Sequence, residues 1–274
     1  MKTLYIDCYS GISGDMFIGA LLDAGADPEI LEAELKKLNF DDEYKLALSK
    51  VVKNGIKSTK FDVLLTSERD SQLYEKSDKK RHEHIHGHNH DHNENLEHSC
   101  DHHHRPHRAY SDIVKMIQSS ELAEEVKKIV LNIFRKIGEA EGHIHGVPLE
   151  KVHFHEVGAV DSIIDITGAA ILIHQLGIEK IKSSAVPVGC GRIHIDHGIY
   201  PVPAPATLEI LKGIPIEQSD VRSELTTPTG AAIVAVLAEE FGTLPSIKIQ
   251  AIGYGAGTQT FKDRPNVLRV VVGE

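Results

Sequence analysis

Apolar and polar residues follow two periods along this chain, and the changes from one to the other mark its elements. Thr3-Leu4-Tyr5-Ile6-Asp7-Cys8 is a short β-rich run ending in small and polar residues, the pattern of a buried strand. Ser10-Gly11-Ile12-Ser13-Gly14 then turns the chain, and Ser13 caps a helix expected from Gly14 to about Ala24, stopped by Gly25. Asp27-Pro28-Glu29 supplies a cap, a proline at the first helical position and an acid in the first turn, for a helix to about Leu38. Strands Tyr44–Val52 and Lys57–Thr66 follow, joined at Asn54-Gly55. Beyond residue 108 the 3.6-residue period returns, with helices expected at about 111–118 and 121–142 and an apolar one from Ala159 to Leu176. Ser184–Val188 reads as a buried strand. The run Pro201-Val202-Pro203-Ala204-Pro205 leads into a helix ending near Lys212-Gly213, and Thr227-Pro228 opens another to about Phe241. Strands near 246–253 and 267–272 close the pattern, with Gly253–Gly257 read as a turn or bulge between them. The order predicts an α/β or α+β fold, a mixed sheet with flanking helices.

Between about Ser67 and Arg108 neither period survives. The stretch is nearly free of aliphatics, too poor in apolar surface to order itself, and predicts a long disordered insertion. The organisation expected is therefore an N-terminal α/β segment (1–66), a histidine-rich insertion (67–108) and a second α/β segment (109–274) packing with the first into one globular domain.

With 274 residues the chain can bury roughly three quarters of its unfolded surface. Three scattered cysteines exclude a disulfide framework and suit a reducing, cytoplasmic setting. A net charge of −10 argues against nucleic acid, and no apolar run approaches the ~18 residues of a membrane span. Met1-Lys2 leads straight into the first strand pattern, which does not read as a signal peptide. The 18 histidines change the picture: protonating all of them would carry the formal charge from −10 to +8.

Eleven of them lie in the insertion: His82, His84, His86, His88, His90, His92, His98, His102, His103, His104 and His107. Neutral imidazole is a borderline ligand for nickel, zinc and copper, available near neutral pH and blocked in acid. Many imidazoles without fixed geometry describe a metal reservoir, and roughly 40 residues of coil reach about 35 Å, far enough to deliver an ion to a fixed site. The plain alternative is a solvated insertion with incidental metal affinity.

Fixed constellations lie outside it. His153 and His155, separated by one residue in a β-like segment, project to the same side, with Glu156 or Asp161 available to complete a metal shell. His143-Ile144-His145 repeats the alternation, and core or helix-end roles are the competing reading for both pairs. Asp161 and Asp165 share one helix face. Asp7, Ser10, Gly11, Ser13, Gly14 and Asp15 have the form of a strand ending in a carboxylate, then a small-residue loop into a helix N-terminus. Such a loop suits a phosphate or carboxylate, with Asp7 and Asp15 holding a divalent ion against it, or else is only a tight turn with a capping serine. It is no Walker motif. Thr226–Ala232 is a second hydroxyl-rich helix start, and Cys190 stands near His194 and His197 without a sign of activation.

Taken in order, several blocks resemble one family. Asp7 with Ser-Gly-Ile-Ser-Gly-Asp-Met at 10–16, the histidine tract, Val-His-Phe-His-Glu-Val-Gly-Ala-Val-Asp-Ser-Ile at 152–163, Pro-Val-Pro-Ala-Pro-Ala-Thr at 201–207, Thr-Pro-Thr-Gly-Ala-Ala at 227–232 and Gly-Tyr-Gly-Ala-Gly at 253–257 are similar to the nickel-insertion (LarC) proteins of nickel-pincer cofactor synthesis. The resemblance implies a cytoplasmic nickel chelatase, a lyase-type cyclometallase. Its product would hold nickel(II) between two thiocarboxylates and a ring carbon of pyridinium-3,5-bisthiocarboxylic acid mononucleotide, with CTP consumed. Family members usually continue beyond Arg264–Leu268, so the chain is expected to be an amino-terminal portion. CTP and its divalent ion would then be handled by the missing carboxy-terminal portion or a separate chain, and a homo-oligomer is expected. Chemistry and spacing give the roles: His153, His155 or Glu156 as fixed nickel site or base, and the Ser10–Gly14 loop for the substrate phosphate. A nickel storage or delivery protein without catalysis is the rival reading. A metal-dependent phosphate-handling enzyme around Asp7 and Asp15 is a third.

Overall fold

A computed structural model describes residues 1–66, 108–154, 157–195 and 198–274. Its centre is a seven-stranded mixed sheet in the order β2-β3-β10-β11-β1-β4-β9. β1 (Thr3–Asp7) lies antiparallel to β11 (Val267–Gly273) on one side and parallel to β4 (Lys180–Ser183) on the other. β10 (Ile249–Ala256) completes the centre, antiparallel to β11, and meets β3 (Ile56–Leu65) through the pair Thr59–Gly255. β2 (Tyr44–Lys53) and β3 form the long outer hairpin expected around Asn54-Gly55, both of which have positive φ. Two small ladders lie outside this sheet: β5 (Val186–Pro187) with β8 (Ile216–Glu217), and β6 (Arg192–Ile195) with β7 (Gly198–Pro201).

The helices are α1 (Gly14–Asp23), α2 (Pro28–Leu35), α3 (Tyr110–Ser119), α4 (Glu124–His145), α5 (Val160–Gln175), α6 (Pro205–Ile210) and α7 (Pro228–Leu237). α1 packs against β10, β3 and α5, which places Phe17, Ile18 and Leu21 in the core. α5 is apolar on nearly every side because it is enclosed by α1, α2, α4 and α7. Phe154, fully buried, meets Tyr110 edge-on and Phe134 at a tilt.

Several boundaries differ from the sequence reading, each for a local reason. α2 ends at Leu35, capped at its start by Asp27 accepting from the Glu29 N–H at 2.8 Å, and continues as a 3-10 turn closed by Asn39 at φ 58°. α7 stops at Leu237, and Glu240–Phe241 forms edge strand β9 beside β4. Within the expected buried strand Ser184–Val188 only Val186–Pro187 is strand, the short β5, and a main-sheet strand that the sequence reading did not name lies before it at 180–183. Its alternation of Lys180, Ile181, Lys182 and Ser183 resembles a charged loop, but both lysines reach Glu240 on β9 and hold its carboxyl down at about 2. Gly253 and Gly255 sit inside β10, not in a turn. A Cβ at either would collide with the α1 backbone at Ala20 or Met16, so the glycines let helix and strand touch.

Candidate functional site

The histidine-rich insertion is rooted at one place. Thr66 donates its N–H to the Glu43 carbonyl at 3.0 Å, and Arg108 donates from Nη2 to the Glu43 carboxylate at 2.7 Å, its guanidinium lying over the Phe40 ring. The chain leaves and re-enters the described fold at the same residue. Directly after re-entry, Ala109 bridges to His153 in antiparallel register, and the Tyr110 N–H bonds the Val152 carbonyl at 3.1 Å. Val152 and Phe154 point into the core, so His153, between them, faces outward and is exposed. Two residues beyond His107, then, the chain runs alongside His153. The eleven tract histidines, His155 and Glu156 lie outside the described residues.

His143 and His145 do not repeat this arrangement. They belong to the last turn of α4, where a separation of two residues points them apart, and His145 pairs with Glu141 at 3.2 Å.

The Asp7–Asp15 segment is drawn tightly into the fold. Asp7 accepts from Arg269 Nε at 2.9 Å and from Nη2. Ser10 donates to the Pro265 carbonyl at 2.7 Å. Gly11, at φ 92°, slides under the Leu225 carbonyl where no side chain would fit, and its N–H bonds Cys8. The Ile12 N–H goes to Leu225 and its carbonyl accepts from Thr227. Ser13 occupies the N-cap position of α1 with its hydroxyl turned to Asp15. Gly14 lies against Asp165, in contact that a Cβ would turn into a 2.5 Å clash.

Here the helix starts converge into a cluster that the sequence only half revealed. Lys60 on β3 bridges Asp15 and Asp62, both at 2.7 Å. Burial alone would lower the Lys60 ammonium, but the two carboxylates carry its pKa above the ordinary lysine value. Asp165, one turn after Asp161 on α5, is pushed far above the usual carboxylate range, first by desolvation and then by Asp15 and Asp161. The Lys60 charge and the Asp15 backbone N–H oppose this. Its Oδ1 is buried without a hydrogen-bond partner among the described residues. The arrangement therefore favours the protonated form of the Asp165 carboxyl. The i,i+4 spacing of Asp161 and Asp165 was legible in the sequence; the arrival of Lys60 from a strand a hundred residues away was not. Among the described residues no group of three or more histidine, cysteine, aspartate or glutamate side chains has metal-binding geometry.

Cys8 is fully buried, which raises its thiol to about 12 and leaves it inert. No helix among the described residues is long and apolar enough to cross a membrane.

The described residues thus form a mixed α/β fold in which the residues flanking the polyhistidine segment, Thr66 and Arg108, both bond Glu43, and Ala109 pairs with the outward-facing His153. The chain belongs to the nickel insertion protein family, which matches it over residues 4–274. It is 53% identical over 274 residues to a pyridinium-3,5-bisthiocarboxylic acid mononucleotide nickel insertion protein of Geobacillus kaustophilus, covering all of this chain and 60% of that protein. It is 49% identical over 270 residues to the protein of the same name from Staphylococcus epidermidis, covering 98% of this chain and 59% of the relative. The chain thus spans about three fifths of the length of these relatives. No solved structure gives a significant match.

Proposed function

We propose that this chain gathers nickel(II) and inserts it into pyridinium-3,5-bisthiocarboxylic acid mononucleotide, the substrate named for its relatives. The observation that carries the reading is the rooting of the histidine tract at Glu43 with its return strand paired to His153. The tract histidines load the ion and hand it to a fixed position built on His153, with His155 and Glu156 next in sequence. Exchangeable imidazoles suit transfer better than a closed thiolate cage.

Insertion replaces a ring C–H by a C–Ni bond, so one proton leaves for each nickel bound. His153, His155 or Glu156 takes that proton as a general base. Asp7, Ser10, Gly11, Ser13, Gly14 and Asp15 form the substrate-side wall. Asp165 positions this wall through its bond to the Asp15 N–H, and Lys60 fixes the Asp15 carboxylate. The Gly11 and Ile12 amides are already bonded to protein carbonyls, so neither is free for the substrate phosphate expected at the Ser10–Gly14 loop. CTP and its divalent ion, where the reaction uses them, belong to the part of the relatives that this chain does not span. The setting is the reducing cytoplasm, with a carboxy-terminal partner segment and a homo-oligomer completing the assembly.

The test is single-turnover insertion. Protein, nickel, CTP and the mononucleotide are combined with and without the remaining portion of the relatives, and the nickel adduct is read by mass. Adduct formation that fails with His153→Ala supports the reading. Nickel uptake with no adduct under either condition would leave a storage and delivery protein.

A further inference from the structure

A cavity of about 340 Å³ opens beside the loop after β1, lined by Tyr9, Pro187, Glu217, Ser219, Asp220 and Arg264 among others. Its position follows from topology. Tyr9 lies two residues past the carboxyl end of β1, Pro187 and Glu217 are the last residues of the parallel pair β5 and β8, and Arg264 precedes the antiparallel β11. The carboxyl ends of parallel strands are where open α/β sheets receive ligands. The cavity adjoins the proposed substrate wall, because Ser10, next to Tyr9, bonds Pro265, next to Arg264.

Arg264 is only partly used. Its Nη2 reaches Asp220 at 3.1 Å and Asp263 at 3.5 Å, while its Nε is buried with no partner among the described residues. A buried donor on a charged group without an acceptor is costly. The Asp220 and Asp263 side chains are 87% and 69% exposed, so their pairing with Arg264 is weak and easily given up. A guanidinium whose Nη2 can be freed this way can donate to the oxygens of a tetrahedral oxoanion. Tyr9, which lines the same cavity and is 58% exposed, offers a flat apolar ring face. The volume falls within the range of small-molecule sites.

We infer that this cavity receives the phosphate end of the mononucleotide, with Arg264 exchanging its exposed Asp220 partner for the phosphate and Tyr9 covering the nucleotide behind it. The inference rests on the proposed substrate and adds where it is held. The phosphate is the group assigned here, and not a thiocarboxylate. Sulfur donors must stay free for nickel, a borderline ion that prefers them, whereas a guanidinium is matched to hard oxygen.

Calorimetric titration of the full chain tests this with four probes: the bisthiocarboxylate mononucleotide, nicotinic acid mononucleotide, the corresponding riboside without phosphate, and inorganic phosphate. Arg264→Gln should weaken both mononucleotides about tenfold or more and leave the riboside unchanged. Asp220→Asn, an exposed substitution that does not threaten folding, should tighten both mononucleotides severalfold by removing the competing carboxylate. Opposite signs at the two positions are not expected of a merely structural ion pair. Mononucleotide binding that is indifferent to both variants would overturn the site and leave the proposed function standing. Inorganic phosphate binding as tightly as the mononucleotides would overturn the assignment to a nucleotide. Failure of the unaltered chain to bind either mononucleotide would overturn the proposed function and the site together.

Discussion

Desolvation raises the Asp165 pKa, so its contribution to stability depends on pH. A carboxyl whose folded pKa lies above its unfolded value of about 4 favours the folded state fully below that value, and the contribution is lost as pH rises through the folded pKa. Asp165→Asn keeps the acceptor for the Asp15 N–H and removes the titration. The variant should melt at a higher temperature than the unaltered chain at pH 8, with the difference closing toward pH 4. Melting curves across that range decide it, and parallel curves would show that the Asp165 pKa is the same in the folded and unfolded chain. At His153 the expectation is reversed. The side chain is exposed, so His153→Ala should move stability by less than about 0.5 kcal/mol, yet lower single-turnover insertion at least tenfold if it receives the ion. Loss of stability with insertion per folded molecule unchanged would make it a structural residue.

At the scale of elements, packing between α1 and β10 depends on two missing side chains. Gly255→Ala should cost about 1–3 kcal/mol in denaturant unfolding, since the methyl group meets the Met16 carbonyl. Thr227→Ala removes the acceptor for the Gly230 N–H at the start of α7 and should cost about 1 kcal/mol. These two positions also show what the sequence disclosed and what it withheld. Thr227-Pro228 announces its helix because capping is a local interaction. The glycines of 253–257 suggest a turn because the helix that needs them lies more than two hundred residues earlier. The same division runs through the site. His153 and the pairing of Asp161 with Asp165 can be read from spacing, since strand and helix periods are local. Lys60, Arg264 and the Glu43 root cannot, since each works on a partner brought to it only by the fold.

For the whole molecule the decisive feature is that both ends of the insertion meet at Glu43. Replacing residues 67–107 by a linker of about six residues should leave the fold intact and stabilise it by about 1–2 kcal/mol through the shorter closed loop. Metal stoichiometry should fall sharply in the same protein. In the unaltered chain, bound metal should be released mostly between about pH 7 and 5 as imidazoles protonate. Equilibrium dialysis with a melting curve on each protein measures both, and unfolding of the shortened chain would make the insertion part of the core.

The placement of β11 between β1 and β10 has a consequence in time. β1 emerges first during synthesis, yet its antiparallel neighbour comes from residues 267–273, and the parallel neighbour on its other side from residues 180–183. The middle of the sheet therefore waits until residues 267–273 have been made, with the histidine tract lying between the strands that have to meet. Contacts so distant in sequence make folding slow. Until β11 arrives, β1 and β10 expose unpaired edges able to bind other nascent chains. Those edges stay open until residues 267–273 emerge, and shortening the tract should let the sheet close sooner.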